Sequence, residues 1–211
     1  MLQIFTNCPR GDCFASNILA NLFALGVSVI IVKIYLDSKS PDLTKVKADD
    51  GHHYYVRNIK DKDEAANRLS KIRHNMIKLT DHCTKKYLND EENGPKIKRL
   101  IEKYNPDEIM EVEADSSHTS YSVNKGEKLI FCLRSRDKKD NLHKLNTMMF
   151  VALHEMAHII TISIGHTDEF WNNFRFLLKE AIECGVYNYQ DYSQSPENYC
   201  GIKITRTPYT K

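Results

Sequence analysis

The sequence predicts an α+β domain, built of helices and a small antiparallel sheet, behind one N-terminal hydrophobic helix. Three patterns lead there: an uncharged apolar run near the start, four later segments with apolar residues every three or four positions, and a strand–turn–strand pattern between the second and third of those segments. A chain of 211 residues suits one domain of ordinary size with an appendage.

After a tail over 1–13, the run from Phe14 to Val32 carries no charge. At about 1.5 Å per residue its length approaches a hydrocarbon core of about 30 Å. Lys33 can snorkel to headgroups and Ile34, Tyr35 and Leu36 extend the apolar surface, so residues 14–36 are expected to form a transmembrane helix. A signal peptide would prefer a basic start, a shorter apolar core and a small-residue cleavage site, and a buried helix would show more polar stripe than Asn17, Asn21 and Ser28. Arg10 on one side against Lys33, Lys39, Lys45 and Lys47 on the other then orients a single-pass membrane protein with its C-terminal domain in the cytosol. Cys13 beside the span is an acylation candidate or a spare thiol. Residues 37–60, polar and holding Pro41 and Gly51, read as a linker, which leaves 61–211 for the folded domain.

Leu69, Ile72, Met76, Leu79 and Cys83 give an amphipathic helix from Asp61 to about Leu88, with Asp61 and Asp63 at its front. Gly94-Pro95 interrupts, and a short helix through "KIKRLIEKY" ends at Asn105-Pro106. Tyr121–Val123 and Lys128–Leu133 flank Asn124-Lys125-Gly126-Glu127, as two antiparallel strands would around a turn with Gly126 at positive φ. Asp140 or Asn141 can cap the next helix, Leu142 to about Ile162, whose apolar surface makes it the central helix. Gly165 bends the chain, and Thr167 caps a last helix ending near Gly185. The Tyr-rich tail beyond shows no regular period.

Charge and cysteines exclude more than they identify. Thirty basic and 28 acidic residues leave a net charge of +2, no footprint for nucleic acid. The six cysteines are scattered without a CxxC pair, so reduced thiols are expected. No asparagine lies in an Asn-x-Ser/Thr sequon, in keeping with a chain outside a secretory lumen.

The central helix carries the chemistry. His154 and His158, four residues apart, share a face and can grip one Zn²⁺. Three protein ligands and one open position make a catalytic zinc site. His166, directly after Gly165, is the candidate third ligand, with Glu169 one turn into the next helix as the alternative. Glu155 is free to take a proton from zinc-bound water and pass it to the leaving amine, the role of a general base. The competing reading, core or surface histidines of a helical hairpin, would need a hydrogen-bond partner for each group on a packed helix.

His154-Glu155-Met156-Ala157-His158 followed by Gly165-His166-Thr167-Asp168-Glu169-Phe170-Trp171 resembles the zinc metallopeptidases of the WLM and SprT-like group, over about Leu129 to Glu180. More specifically, the chain resembles membrane-anchored HExxH proteins of large DNA viruses and some protists. The resemblance implies an α+β minigluzincin-like domain, zinc on His154, His158 and His166, Glu155 as general base, and a protein or peptide substrate. The interval from His158 to His166 exceeds the shortest pattern of the group, which keeps Glu169 open. The N-terminal span is unlike the soluble DNA-repair members, and no basic tail supports a DNA–protein crosslink substrate.

Leu129, Ile130, Phe131 and Cys132 are expected to form an edge strand that binds an extended substrate by strand addition. Tyr192 or Tyr199 is a candidate oxyanion stabiliser, against simple packing. The leading expectation is a membrane-anchored zinc peptidase. The rival is a non-catalytic membrane-anchored interaction domain with a structural zinc.

Overall fold

The computed structural model describes residues 20–32, 42–137 and 139–210. It divides into two units, 1–41 and 42–211. In the first, residues 20–32 are helical (α1) and exposed to solvent. The transmembrane expectation for 14–36 is overturned: among the described residues no helix is long and apolar enough to cross a membrane. Thirteen helical residues rise only about 20 Å, against about 30 Å of hydrocarbon. The single-pass, cytosol-facing placement rested on that span and is withdrawn with it. The rest of 14–36, and Cys13, lie outside the described residues.

The second unit begins at Asp42, not near residue 61. Strands β1 (Leu43–Lys47) and β2 (His53–Arg57) pair antiparallel inside the segment expected to be a linker. In β2, Tyr54 and Val56 are buried while His53 and Tyr55 face outward, the period-2 pattern of a half-buried strand. In β1 the pattern is diluted by Lys45 and Lys47, as suits a short strand on an exposed sheet edge. Gly51 closes the hairpin at φ +81°.

Helix α2 (Lys62–Tyr87) buries Ala65, Leu69, Ile72, Met76, Leu79 and Cys83 along one face. Asp61 precedes it without capping it, because its carboxylate is paired with Arg134. After α3 (Gly94–Lys103) come β3 (Ile109–Glu111), β4 (Tyr121–Val123) and β5 (Lys128–Phe131). The sheet order is β1-β2-β3-β5-β4. Its β2–β3 and β3–β5 pairs are parallel, while β4–β5 is antiparallel. The sheet is therefore mixed rather than antiparallel, since the α2–α3 crossover returns the chain in the same direction. The turn between β4 and β5 holds Asn124, Lys125 and Gly126 at positive φ. A Cβ at Gly126 would lie 2.7 Å from the Lys103 carbonyl oxygen, so the turn docks on the end of α3.

Helix α4 (Leu145–Ile160) packs against α2, α3, β4 and α5 (Asp168–Glu183). Neither Asp140 nor Asn141 caps α4: Lys144 occupies that position, and Asp140 binds Arg57 instead. Thr167 does cap α5, its side-chain oxygen accepting from the Phe170 N–H at 3.4 Å. The tail folds into a second small sheet, β6 (Glu197–Tyr199) and β7 (Ile202–Ile204). Cys200 and Gly201 make its turn, both at positive φ. A Cys132–Cys200 disulfide ties that turn to the residue after β5, which corrects the expectation of reduced thiols for this pair. Cys83 and Cys184 are free.

Candidate active site

Helical spacing brings His154 and His158 to one face of α4, and the loop from Thr161 to Thr167 returns His166 to the same point. The His154 Nε2 atom lies 3.2 Å from His158 Nε2 and 3.1 Å from His166 Nε2. The ring nitrogens of all three fall within 4.8 Å of one another. Phe170, four residues after His166 and fully buried, supports the cluster, with ring centroids 4.9, 4.3 and 4.6 Å from His154, His158 and His166. Trp171 lies beside His166 at 5.6 Å.

Three nitrogens this close must share a proton or a cation. Burial, then the neighbouring rings, pushes His154 down to about 3; burial, then His166 and Lys125, pushes His158 down to about 4. Both are therefore neutral at pH 7, with lone pairs available. A tetrahedral zinc with bonds of about 2.0–2.1 Å separates its nitrogen ligands by about 3.3–3.4 Å. The donor set and its spacing fit such an ion.

Glu155 is only 5% exposed. Burial pushes its carboxyl up to about 7, while the Ser122 backbone N–H pulls the other way. A base poised there suits proton transfer near neutrality. The acid opens, together with the histidines, into a groove of about 510 Å³ between β4 and the 163–166 loop. Tyr199, Ile202 and Ile204 also line it.

Several expected site residues are placed elsewhere. Glu169 does not join the histidines: its carboxylate accepts from the Ile162 and Ser163 N–H groups at 2.9 and 3.0 Å. Tyr192 is fully buried against Phe150 and outside the groove, so it packs the core and does not face a reacting carbonyl. Tyr199 does line the groove, but its hydroxyl is 2.6 Å from Ser120 Oγ. Leu129, Ile130, Phe131 and Cys132 are buried, and β5 lies between β3 and β4. The free sheet edge beside the groove is β4, with Tyr121 and Ser122. Sequence reading missed β4 as the edge, together with Phe170 and Lys125. Only Phe170 had a local signal, one helical turn after His166.

Among the described residues, two further groups gather metal-type ligands, and both are spent internally. Cys132 and Cys200 are bonded to each other, and His143 Nε2 accepts from the Cys200 backbone N–H at 3.2 Å. Glu180, fully buried, meets His82 Nε2 and Lys86 Nζ at 2.9 Å and the Tyr87 hydroxyl at 2.8 Å.

Comparison with known families finds the WLM domain over residues 96–208, more than half of the chain. The chain belongs to the WLM domain family. The stretch matched by the WLM model holds the whole histidine cluster, and WLM is a metallopeptidase family, so this is a zinc-protease-type domain in general form. An uncharacterised protein of Acanthamoeba polyphaga mimivirus is 32% identical over 183 residues, covering 86% of this chain and 92% of its own. An uncharacterised protein of Invertebrate iridescent virus 6 is 30% identical over 44% of this chain and 51% of its own. Another, of Invertebrate iridescent virus 3, is 42% identical over 39% and 50%. Among solved structures, Wss1 from Saccharomyces cerevisiae is similar at 19% identity, covering 62% of this chain and 88% of that one, with a TM-score of 0.45.

Proposed function

We propose that this domain is a zinc-dependent peptidase, in which His154, His158 and His166 hold the ion and Glu155 is the general base. The observation that carries the reading is the convergence of three imidazoles with one buried carboxyl in a groove beside a free strand edge. When bound, zinc supplies a Lewis acid that polarises a scissile carbonyl and acidifies water. The remaining work falls to the chain. An extended substrate segment adds to the free edge of β4, which replaces β5 as the substrate strand. Glu155 takes a proton from the attacking water and returns it to the departing amine. Phe170, packed behind the three rings, holds them in place.

The rival reading is a non-catalytic interaction domain with a structural zinc. Structural zinc sites are closed by four protein ligands, whereas this cluster has three and an exposed His166 on an open groove. The deciding experiment measures zinc in the purified chain and compares cleavage of a mixed peptide library by wild type and Glu155→Gln. Loss of cleavage in the variant at unchanged zinc content supports the peptidase. Equal cleavage in both removes the proposed base, and zinc without cleavage in either protein favours the structural reading.

A further inference from the structure

The segment that carries His166 is gripped from both sides. Lys125 Nζ donates to the carbonyl oxygens of Thr161, Ile162 and Ser163 at 2.7, 2.9 and 3.1 Å. Glu169 accepts from the N–H groups of Ile162 and Ser163. An ammonium has three donors and no acceptor, so Lys125 spends every one on this main chain. It has nothing left to offer a substrate, although it borders the groove. Lys125 stands at φ +55° beside Asn124 at +48°, within the β4–β5 turn.

The contacts also explain why α4 stops at Ile160, before the glycine. Arg99 Nε donates to the Ile159 carbonyl in the last turn at 2.9 Å, and Lys125 takes the carbonyls of Thr161, Ile162 and Ser163 just beyond it, so cations sit at the negative end of the helix. The Glu169 carboxylate takes the N–H groups that would have continued the ladder. The chain leaves the helix at a fixed point and in a fixed direction.

We propose that Lys125 and Glu169 are positioning residues for the metal centre, a two-sided clamp on residues 161–163 that sets where His166 stands against His154 and His158. This rests on the zinc-peptidase reading and assigns Glu169 to the clamp instead of the ion. A ligand held by its surroundings loses metal affinity when those surroundings are removed, typically by about 10- to 100-fold.

The test measures zinc affinity of the full chain by competition with a chromophoric chelator. Lys125→Met removes no conceivable zinc ligand, and Glu169→Gln keeps shape but replaces one acceptor oxygen with an amide N–H₂. Each is expected to weaken zinc by about 10- to 100-fold while the metal-free protein melts within a few degrees of wild type. In a His166→Ala background, Lys125→Met should cause no further fall, because the clamp acts through that ligand. Wild-type affinity in Lys125→Met overturns the proposal, as does an undiminished further fall on the His166→Ala background. If Lys125→Met does not fold, wild-type affinity in Glu169→Gln overturns it equally. Absence of zinc binding by the wild type itself would instead sink the peptidase reading.

Discussion

Three histidines beside Glu155 and one histidine beside Glu180 and Glu183 behave in opposite ways. At the groove, three imidazoles face one another, and Glu155, on the same helix, is buried. At the α2–α5 contact, His82 and Lys86 surround Glu180, with Glu183 beyond. Burial alone would raise the Glu180 carboxyl, but Lys86, Tyr87 and His82 outweigh it and hold it below the ordinary carboxylate range. Residue types do not separate a site from a staple. What separates them is whether charges and lone pairs cancel: around Glu180 cations meet the carboxylate, whereas in the groove imidazole nitrogens face one another.

The sharpest way to break this contrast is Glu155→Gln, expected to lower peptide cleavage by about 10²- to 10⁴-fold, read as kcat/KM at constant zinc occupancy. Next comes zinc itself. At one hundred times its Kd it should stabilise the wild type by about 2.7 kcal/mol. Chemical denaturation with and without zinc should show that gain lost in His158→Ala and kept in Glu180→Gln.

A smaller effect belongs to the staple. Glu180→Gln should cost about 2 kcal/mol at pH 7 without changing zinc affinity, less than a fully buried pair because Lys86 and His82 can still reach water. The sign with pH follows from the lowered folded value. The Glu180 contribution is fully present above the unfolded glutamate value of about 4.3 and is lost as pH falls through the folded one. The gap between wild type and variant should therefore close in acid, as urea midpoints at pH 7 and near pH 3 will show. The smallest change is Lys86→Met, at about 1 kcal/mol, since Lys86 is the more exposed partner.

Much of this was readable from sequence where a signal is local. The apolar periods of α2 to α5, the turn around Gly126 and the spacing of His154, His158 and His166 each lie within one or two elements. What stayed hidden depends on residues far apart. The lysines of β1 mask an edge strand, and a parallel pairing of β3 with β5 cannot be seen in either strand alone. Cys132 and Cys200 stand 68 residues apart, and spacing gives no connectivity. Lys125 meets its carbonyls across 36 to 38 residues. The apolar run near the N-terminus misled for a related reason: composition matched a lipid core, but the described helix is too short for one.

The Cys132–Cys200 bond encloses the whole stretch from the end of β5 through α4 and α5 to the terminal hairpin. Any single nick between residues 133 and 199, including one the protein makes in itself, would leave both pieces joined. On an electrophoresis gel run without reductant such a nicked molecule migrates as one band, so self-digestion in this region becomes visible only after thiol treatment.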